Sequence, residues 1–136
     1  MSTSLLYHAF GVRGYIQKCI EFIAGSVVFD VEQERGFRCA ACKSWRVICR
    51  GTIERRFRSV PIGRMATWIV LPVQRVQCLK CAALRQVEVD FAAERRTYTK
   101  EFERYALELC RICTVKDVAR HLGASWDTIK DIDKRY

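Results

Sequence analysis

Two pairs of cysteines constrain what this chain can fold into more than any other feature. Cys39 and Cys42 form one pair and Cys78 and Cys81 form the other, both with the spacing C-x-x-C. This spacing lets two thiolates reach one metal ion from a tight turn, and four sulfur ligands suit tetrahedral Zn²⁺ in a closed structural site. The sequence therefore predicts a four-cysteine zinc ribbon with Zn²⁺ as its cofactor. The alternatives are two disulfides or unligated core thiols, but the N-terminus shows no secretory signal for an oxidising compartment.

The charge of the chain indicates what it binds. The 136 residues carry a formal net charge of +9, and the sequence pI is about 9.4. Such an excess favours a polyanionic partner, most simply nucleic acid, although a basic protein without such a partner is the alternative. No apolar run approaches the ~20 residues that a membrane helix needs, so no membrane partner is expected. We expect a cytoplasmic location, where reduced thiols can bind zinc.

The part of the chain around the cysteine pairs is typical of β-structure. A short helix is expected over residues 4–10. Candidate strands cover residues 15–22, 27–33, 45–50, 52–60, 66–77 and 85–91. The first two form a hairpin, and the others predict a small antiparallel sheet that zinc clamps at one end. Cys19 and Cys49 fall within candidate strands and are expected to be small packing residues.

Basic residues are concentrated between the two cysteine pairs. Arg55, Arg56 and Arg58 lie on one candidate strand, and Glu54 is the only acid between residues 43 and 64. Arginines at this density cannot all pair internally, and arginine matches phosphate in a bidentate geometry. The three arginines are therefore predicted to contact DNA phosphates. The alternative is a solvated strand edge that is kept charged against aggregation.

After residue 92 the pattern becomes helical. Residues 92–99 are polar and look like a connector, and Thr99 can cap a helix that runs to about Cys113. Cys110 and Cys113 make a third C-x-x-C pair. Residues three apart share one face of a helix, and this face is apolar, so both thiols are predicted to lie in the core. A second metal or redox site is the alternative.

Residues 114–136 have the pattern of a helix-turn-helix. Thr114 and Asp117 are close to a capping box, small Ala119 lets two helices approach, and Gly123 can adopt the positive φ of the turn. An ordinary pair of packed helices is the alternative. In a helix-turn-helix the second helix enters the major groove by its N-terminal end. The predicted DNA-binding residues of this helix are Ser125, Trp126, Asp127, Thr128, Lys130, Asp131 and Lys134.

These patterns together predict an α+β fold in three parts. The first, residues 1–34, is a helix and a β-hairpin. The second, residues 35–92, is the four-cysteine zinc ribbon. The third, residues 97–136, is a helical helix-turn-helix domain.

Several separate sequence blocks occur along the chain in an order that is also found in a known protein family. They are Met1-Ser-Thr-Ser-Leu-Leu-Tyr-His-Ala-Phe-Gly11, Arg55-Arg-Phe-Arg-Ser-Val-Pro-Ile-Gly63, Arg95-Arg-Thr-Tyr-Thr99, Phe102-Glu-Arg-Tyr105, Asp117-Val-Ala-Arg-His-Leu-Gly123 and Ser125-Trp-Asp-Thr128. This succession resembles the N-terminal part of the ISL-three transposases of bacterial insertion sequences. The resemblance implies a zinc ribbon plus helix-turn-helix that binds double-stranded DNA at the terminal inverted repeats of the mobile element.

In full-length members of that family a DDE catalytic domain follows, with a ribonuclease-H-like fold and a divalent metal. The chain is expected to lack this domain, so no catalytic residue is carried over and no enzyme activity is expected. The leading hypothesis is a DNA-binding module of a transposase. A free-standing transcriptional regulator built from the same module is the alternative. A second copy of the chain, in a homodimer, is a further candidate partner.

The chain departs from the resembled family at its two cysteine turns. That family usually has Cys-Pro-x-Cys-Gly, whereas this chain has Ala40 in place of the proline and Lys43 and Ala82 in place of the glycines. If these two positions need positive φ, the expected strain is about 1 kcal/mol at each.

Overall fold

The computed structural model describes residues 5–34, 36–93 and 95–135, and in that part of the chain it has an α+β architecture. The elements are α1 (Leu5–Phe10), β1 (Tyr15–Ile23), β2 (Ser26–Gln33), β3 (Val47–Ile62), β4 (Met65–Cys78), β5 (Leu84–Gln86), α2 (Lys100–Cys110), α3 (Val115–Leu122) and α4 (Trp126–Arg135). The predicted fold class is confirmed. Residue 4 of the predicted first helix and residue 136 of the predicted last helix lie outside the described residues.

The sheet is mixed rather than purely antiparallel. Its strand order is β1-β2-β4-β3, and β5 also pairs with β4 for a short distance. The hairpin of β1 and β2 forms as predicted, but β2 then runs parallel to β4, with Phe29 opposite Ile69. Both residues are almost fully buried. The antiparallel pairing predicted for the ribbon holds, since β3 pairs antiparallel with β4 and β4 pairs antiparallel with β5. The sequence patterns did not predict that the hairpin joins this sheet through a parallel pairing.

β3 is one long strand where two were predicted. Gly51, with a φ of 101°, lies between the predicted segments, and the register with β4 shifts between Cys49 and Thr52. A glycine within a strand often marks a bulge rather than the end of the strand. After the second cysteine pair the predicted strand is too long. A strand was predicted over residues 85–91, but the strand found there, β5, covers only Leu84–Gln86. Val87 and Phe91 are buried as their alternation predicted, but the chain that carries them is irregular.

Two hydrophobic cores are present among the described residues. The first lies against the sheet and includes residues of α1, β2, β3 and β4 and of the segment after β5. Phe57 and Phe91 meet in it edge to face, with ring centroids 5.0 Å apart. The second core is formed by α2, α3 and α4, with Phe102, Ile129 and Ile132 fully buried. The three-part division of the chain stays a prediction.

The connector between the two cores is fastened to β3. The amide of Arg58 donates to the Thr97 carbonyl at 2.8 Å, and the amide of Thr99 donates to the Arg58 carbonyl at 2.9 Å. The Thr99 hydroxyl then accepts from the Phe102 amide at 3.1 Å, which caps α2 as the sequence predicts. The helical part therefore begins directly at the sheet.

The four cysteines outside the two pairs are mostly more exposed than predicted. Cys19 is exposed because β1 is an edge strand with little packed on either face, and its thiol donates to Asp30 at 2.9 Å. Cys49 is exposed on the part of β3 that extends beyond the core. Cys113 is exposed because α2 ends at Cys110, which itself is half-buried against the second core. The core prediction is therefore wrong for Cys19, Cys49 and Cys113.

No helix in the described ranges is long and apolar enough to cross a membrane.

Candidate metal centre and nucleic-acid interface

The two C-x-x-C pairs meet at one point. The Sγ atoms of Cys39 and Cys81 lie 3.6 Å apart, and those of Cys42 and Cys78 lie 3.4 Å apart. All four sulfur atoms lie within 4.8 Å of one another. Four thiolates around a tetrahedral Zn²⁺ at about 2.3 Å would stand roughly 3.8 Å apart. The four cysteines can therefore hold one metal ion without a change of fold.

The two cysteine turns have the same backbone hydrogen bonds. In the first, the Lys43 amide donates to the Cys39 carbonyl and the Cys39 amide donates to the Ser44 carbonyl, both at 2.9 Å. In the second, the Ala82 amide donates to the Cys78 carbonyl at 3.1 Å and the Cys78 amide to the Ala83 carbonyl at 2.9 Å. Each turn thus presents its two sulfur atoms in the same way, and the sheet brings the turns together because Val47 on β3 pairs with Cys78 on β4.

Backbone amides point at the sulfur atoms and shift their proton affinities. The amides of Cys81 and Lys80 donate to the Cys78 Sγ at 3.3 and 3.2 Å, and these bonds lower the pKa of Cys78 to about 6 against the effect of burial. The amides of Cys42 and Ala41 likewise lower the pKa of Cys39. At Cys42 the Ser44 amide acts in the same direction, but the Cys78 thiol and burial outweigh it and raise the pKa to about 11. The backbone amides thus favour the thiolate form of Cys78, whereas the neighbouring thiol and burial favour the protonated form of Cys42.

The two residues that replace glycine at the cysteine turns do adopt positive φ. Lys43 has a φ of 63° and Ala82 has a φ of 61°. These are the left-handed conformations that glycine adopts without penalty and that other L-residues adopt at a cost of about 1 kcal/mol or more. The condition for strain at these two positions, a positive φ, is therefore met at both turns.

The C-terminal helices form the predicted helix-turn-helix. The Thr114 hydroxyl caps α3 by accepting from the Asp117 amide at 3.2 Å. Gly123, with a φ of 66°, ends α3. The Ser125 hydroxyl then caps α4 by accepting from the Thr128 amide at 3.1 Å. Each signal acts within one turn of helix, which explains why the local sequence is sufficient to predict it.

The predicted DNA-binding residues of α4 lie on its solvent side. Ile129 and Ile132 face the second core, whereas Asp127, Lys130, Asp131 and Lys134 are exposed. Trp126 is 48% exposed, and the Lys130 ammonium lies 4.5 Å from the centre of its indole ring. Ser125 is exposed and Thr128 is half-buried, with their hydroxyl oxygens 2.7 Å apart. The contact of these residues with DNA stays a prediction.

The three arginines of β3 do not form one surface. Alternate residues of a strand point to opposite faces. Arg56 and Arg58 lie on the face of Trp68, with guanidinium carbons 5.4 and 5.6 Å from the centre of its ring. Arg55 lies on the other face, 4.8 Å from the centre of the Phe57 ring, and donates to the Arg96 carbonyl at 3.2 Å. Arg56 is exposed, whereas Arg58 is half-buried and donates to the Leu122 carbonyl. Phosphate contact by these three stays a prediction.

The sequence patterns did not indicate one ion pair that supports α4. The Arg135 guanidinium donates to Glu103 at 2.8 Å and to the Tyr98 hydroxyl at 2.6 Å. Glu103 lies in the first turn of α2 and is only 4% exposed. In the sequence, an acid at this position indicates only a favourable interaction with the helix dipole. The pair joins the ends of two helices that are distant in sequence, so no local pattern could predict it.

One comparison with known proteins matches the helical part of the chain. Residues 87–136 match the family model described as the helix-turn-helix domain of transposase family ISL3. No curated protein and no solved structure matches the chain. The matched segment contains α2, α3 and α4, and it begins early enough to include Val87 and Phe91, which pack against the sheet. Residues 87–136 are therefore similar to the helix-turn-helix domain of ISL3-family transposases.

Proposed function

We propose that the chain is the DNA-binding module of an insertion-sequence transposase and recognises the terminal inverted repeats of its element. The observation that carries this proposal is the solvent-facing side of α4, within a segment that matches a transposase helix-turn-helix. The net charge of +9 supports a polyanionic partner. The proposed role is binding of double-stranded DNA, and no residue of this chain is given a catalytic step.

The exposed side of α4 carries mixed chemistry that suits base recognition. Lys130 can donate to guanine, and Asp127 and Asp131 can accept from the amino group of cytosine. Asp127 lies in the first turn, where its charge also favours the helix dipole. The Trp126 ring holds the Lys130 ammonium beside it, which restricts the directions in which that lysine can donate. We infer that α4 distinguishes sequences and that arginines of the sheet add affinity through phosphates.

We further propose that Cys39, Cys42, Cys78 and Cys81 hold one Zn²⁺. An all-sulfur set with no open position is typical of a structural zinc site. The amides that donate to Cys78 favour its thiolate form, which is the form that binds metal. Zinc would supply no chemistry to DNA here. Its role would be to hold the two turns, and thus the ends of β3 and β4, together. A reducing cytoplasm, with the protein associated with the nucleoid, would keep these thiols available.

We also propose that the chain forms a homodimer through β1. This strand is at one edge of the sheet, and its exposed side chains include Ile16, Ile20, Phe22 and Ile23. Long apolar edges invite pairing with another strand. Two copies of β1 could pair in antiparallel orientation around a two-fold axis between residues 19 and 20. In this register Lys18 of one copy would lie opposite Glu21 of the other. Sedimentation of the protein and of Phe22→Lys tests this, and a wild-type monomer at high protein concentration would contradict it.

The main proposal is tested by binding to an element-end duplex and to a duplex of the same composition in scrambled order. We expect tighter binding to the element end, since specific complexes exceed non-specific ones by at least about a thousandfold. Equal affinity for both duplexes would contradict recognition of the repeat.

A further inference from the structure

A basic cleft lies between the first cysteine turn and the start of α2. It has a volume of about 1000 Å³. Its walls include Ala40 of the cysteine turn, residues 85–90, and residues of β3, the connector and the start of α2. The residues of this last group are Arg55, Phe57, Ala92, Ala93, Arg95 and Lys100. Four cations line it: Arg55, Arg85, Arg95 and Lys100. Three segments that are separate in sequence thus contribute positive charge to one concave surface.

The walls of this cleft are held by contacts within the protein. The Val87 amide donates to the Gln74 carbonyl at 2.9 Å, and the Lys100 amide donates to the Phe91 carbonyl at 2.8 Å. Arg55 is positioned by its hydrogen bond to the Arg96 carbonyl and by the ring of Phe57. The cleft is therefore formed before any partner arrives, which lowers the entropy that binding must overcome.

The acids that the structure describes in the cleft do not cancel its charge. Among the described residues, Glu88 and Asp90 are the acids in its lining. Glu88 pairs with Lys43 at 2.5 Å, so that acid is balanced by a further cation from the cysteine turn. Within the described lining, Asp90 is then left to offset the charge of four cations. An anionic ligand with several charges in a row would therefore be favoured over a neutral or cationic one.

We propose that this cleft holds a stretch of the phosphodiester backbone of the same DNA that α4 reads. The inference rests on the proposed DNA-binding function and adds a second contact surface, which Arg85, Arg95 and Lys100 share with Arg55. Arginine suits this ligand because its guanidinium donates two parallel hydrogen bonds to phosphate. One end of the cleft is formed by Lys100, the first residue of α2. A DNA strand bound in the cleft would therefore lie next to the helix-turn-helix.

The test compares two double variants that lose the same charge. Arg85→Ala with Lys100→Ala removes two exposed cations from the cleft. Arg64→Ala with Arg50→Ala removes two exposed cations from the β3–β4 turn and from β3, outside the cleft and away from β1. Binding to the element-end and scrambled duplexes is measured as a function of salt concentration. Circular dichroism melting and metal content identify any variant that has lost its fold.

We expect the cleft variant to lose the same factor of affinity on both duplexes. Its plot of log K against log salt should be less steep by about 1.8, since each phosphate contact contributes about 0.9 to the slope. The control variant should keep the wild-type salt slope. Arg85→Lys retains the positive charge and should therefore keep most of the wild-type salt slope. A cleft variant with the wild-type slope, or a control variant that loses as much slope, would overturn the cleft while leaving the proposed function intact. Failure of the wild-type protein to bind either duplex would overturn both.

Discussion

The guanidinium of Arg58 on β3 donates a hydrogen bond to the backbone carbonyl of Leu122 at the end of α3. It lies between the rings of Trp68 and Phe102, with both ring centres 5.6 Å from its central carbon. Burial lowers the pKa of the Arg58 guanidinium. Arg58 still carries its charge at neutral pH, because an arginine side chain is not deprotonated in proteins. Arg58 thus joins the sheet to the turn of the helix-turn-helix.

Replacement of Arg58 should therefore reduce stability. We expect Arg58→Ala to lower the free energy of unfolding by about 1–3 kcal/mol, because it removes a charged donor and its packing on two aromatic rings. Arg56→Ala is the matched control, since Arg56 lies on the same face of β3 but is exposed, and it should change stability by no more than about 0.5 kcal/mol. Urea unfolding measures both. Equal stability of the two variants would contradict the structural role of Arg58.

Metal binding should depend on the two cysteine pairs and not on the third. We expect purified protein to contain one Zn²⁺ per chain, and we expect Cys78→Ser to abolish it and to unfold the region of the cysteine turns. Cys110→Ser should leave the metal content unchanged, because Cys110 packs against the second core. Elemental analysis under anaerobic conditions measures the stoichiometry. Folded wild-type protein without metal would contradict the zinc site.

Metal affinity should fall in acid. The pKa of Cys78 is lowered to about 6, so below that pH protons compete with the metal for its thiolate. Cys42, with a pKa raised to about 11, carries a proton at neutral pH and must release it when metal binds. A zinc-chelator competition at pH 8 and pH 6 should therefore show weaker binding at pH 6, by about tenfold per pH unit for each proton released. Affinity that does not change with pH would contradict thiolate ligation.

Glycine should relieve strain at the two cysteine turns. Lys43→Gly and Ala82→Gly should each raise the free energy of unfolding by up to about 1 kcal/mol, since both positions have positive φ. The loss of the exposed pair between Lys43 and Glu88 offsets little of this gain. Ala83→Gly is the control, because Ala83 lies beside Ala82 and is not among the residues with positive φ. Thermal unfolding of zinc-loaded protein measures all three, and a gain at Ala83 as large as at Ala82 would contradict relief of strain.

Substitutions in the sheet should change the overall affinity for DNA, whereas substitutions in α4 should change the preference for one DNA sequence over another. Arg56→Ala should weaken binding to element-end and scrambled duplexes alike and reduce the salt slope by about 0.9 if Arg56 contacts a phosphate. Lys130→Ala and Asp131→Ala should mainly reduce the difference between the two duplexes, by roughly 1–3 kcal/mol for each lost base contact. Salt-titrated binding measures both effects. The reverse pattern would contradict the roles proposed for the sheet and for α4.

Local signals in the sequence determined the helical part and the cysteine turns. Thr99, Thr114 and Ser125 cap the helices that follow them, and Gly123 ends α3, because a cap acts through hydrogen bonds to residues two to four positions away. The spacing of Cys39 with Cys42 and of Cys78 with Cys81 acts over the same short range. The positive φ of Lys43 and Ala82 follows from the same turns.

Only the tertiary structure decided which distant residues meet. The parallel pairing of β2 with β4 depends on burial beside the central strand, and the bond between Arg58 and Leu122 joins residues on separate elements. The cleft likewise unites Arg55 with Lys100 across most of the ribbon sequence. Periodicity places a side chain on a face of its own strand or helix, but it carries no information on which element covers that face. The positions of the arginines, and therefore the surface proposed to contact DNA, follow from the packing of the sheet against the helices.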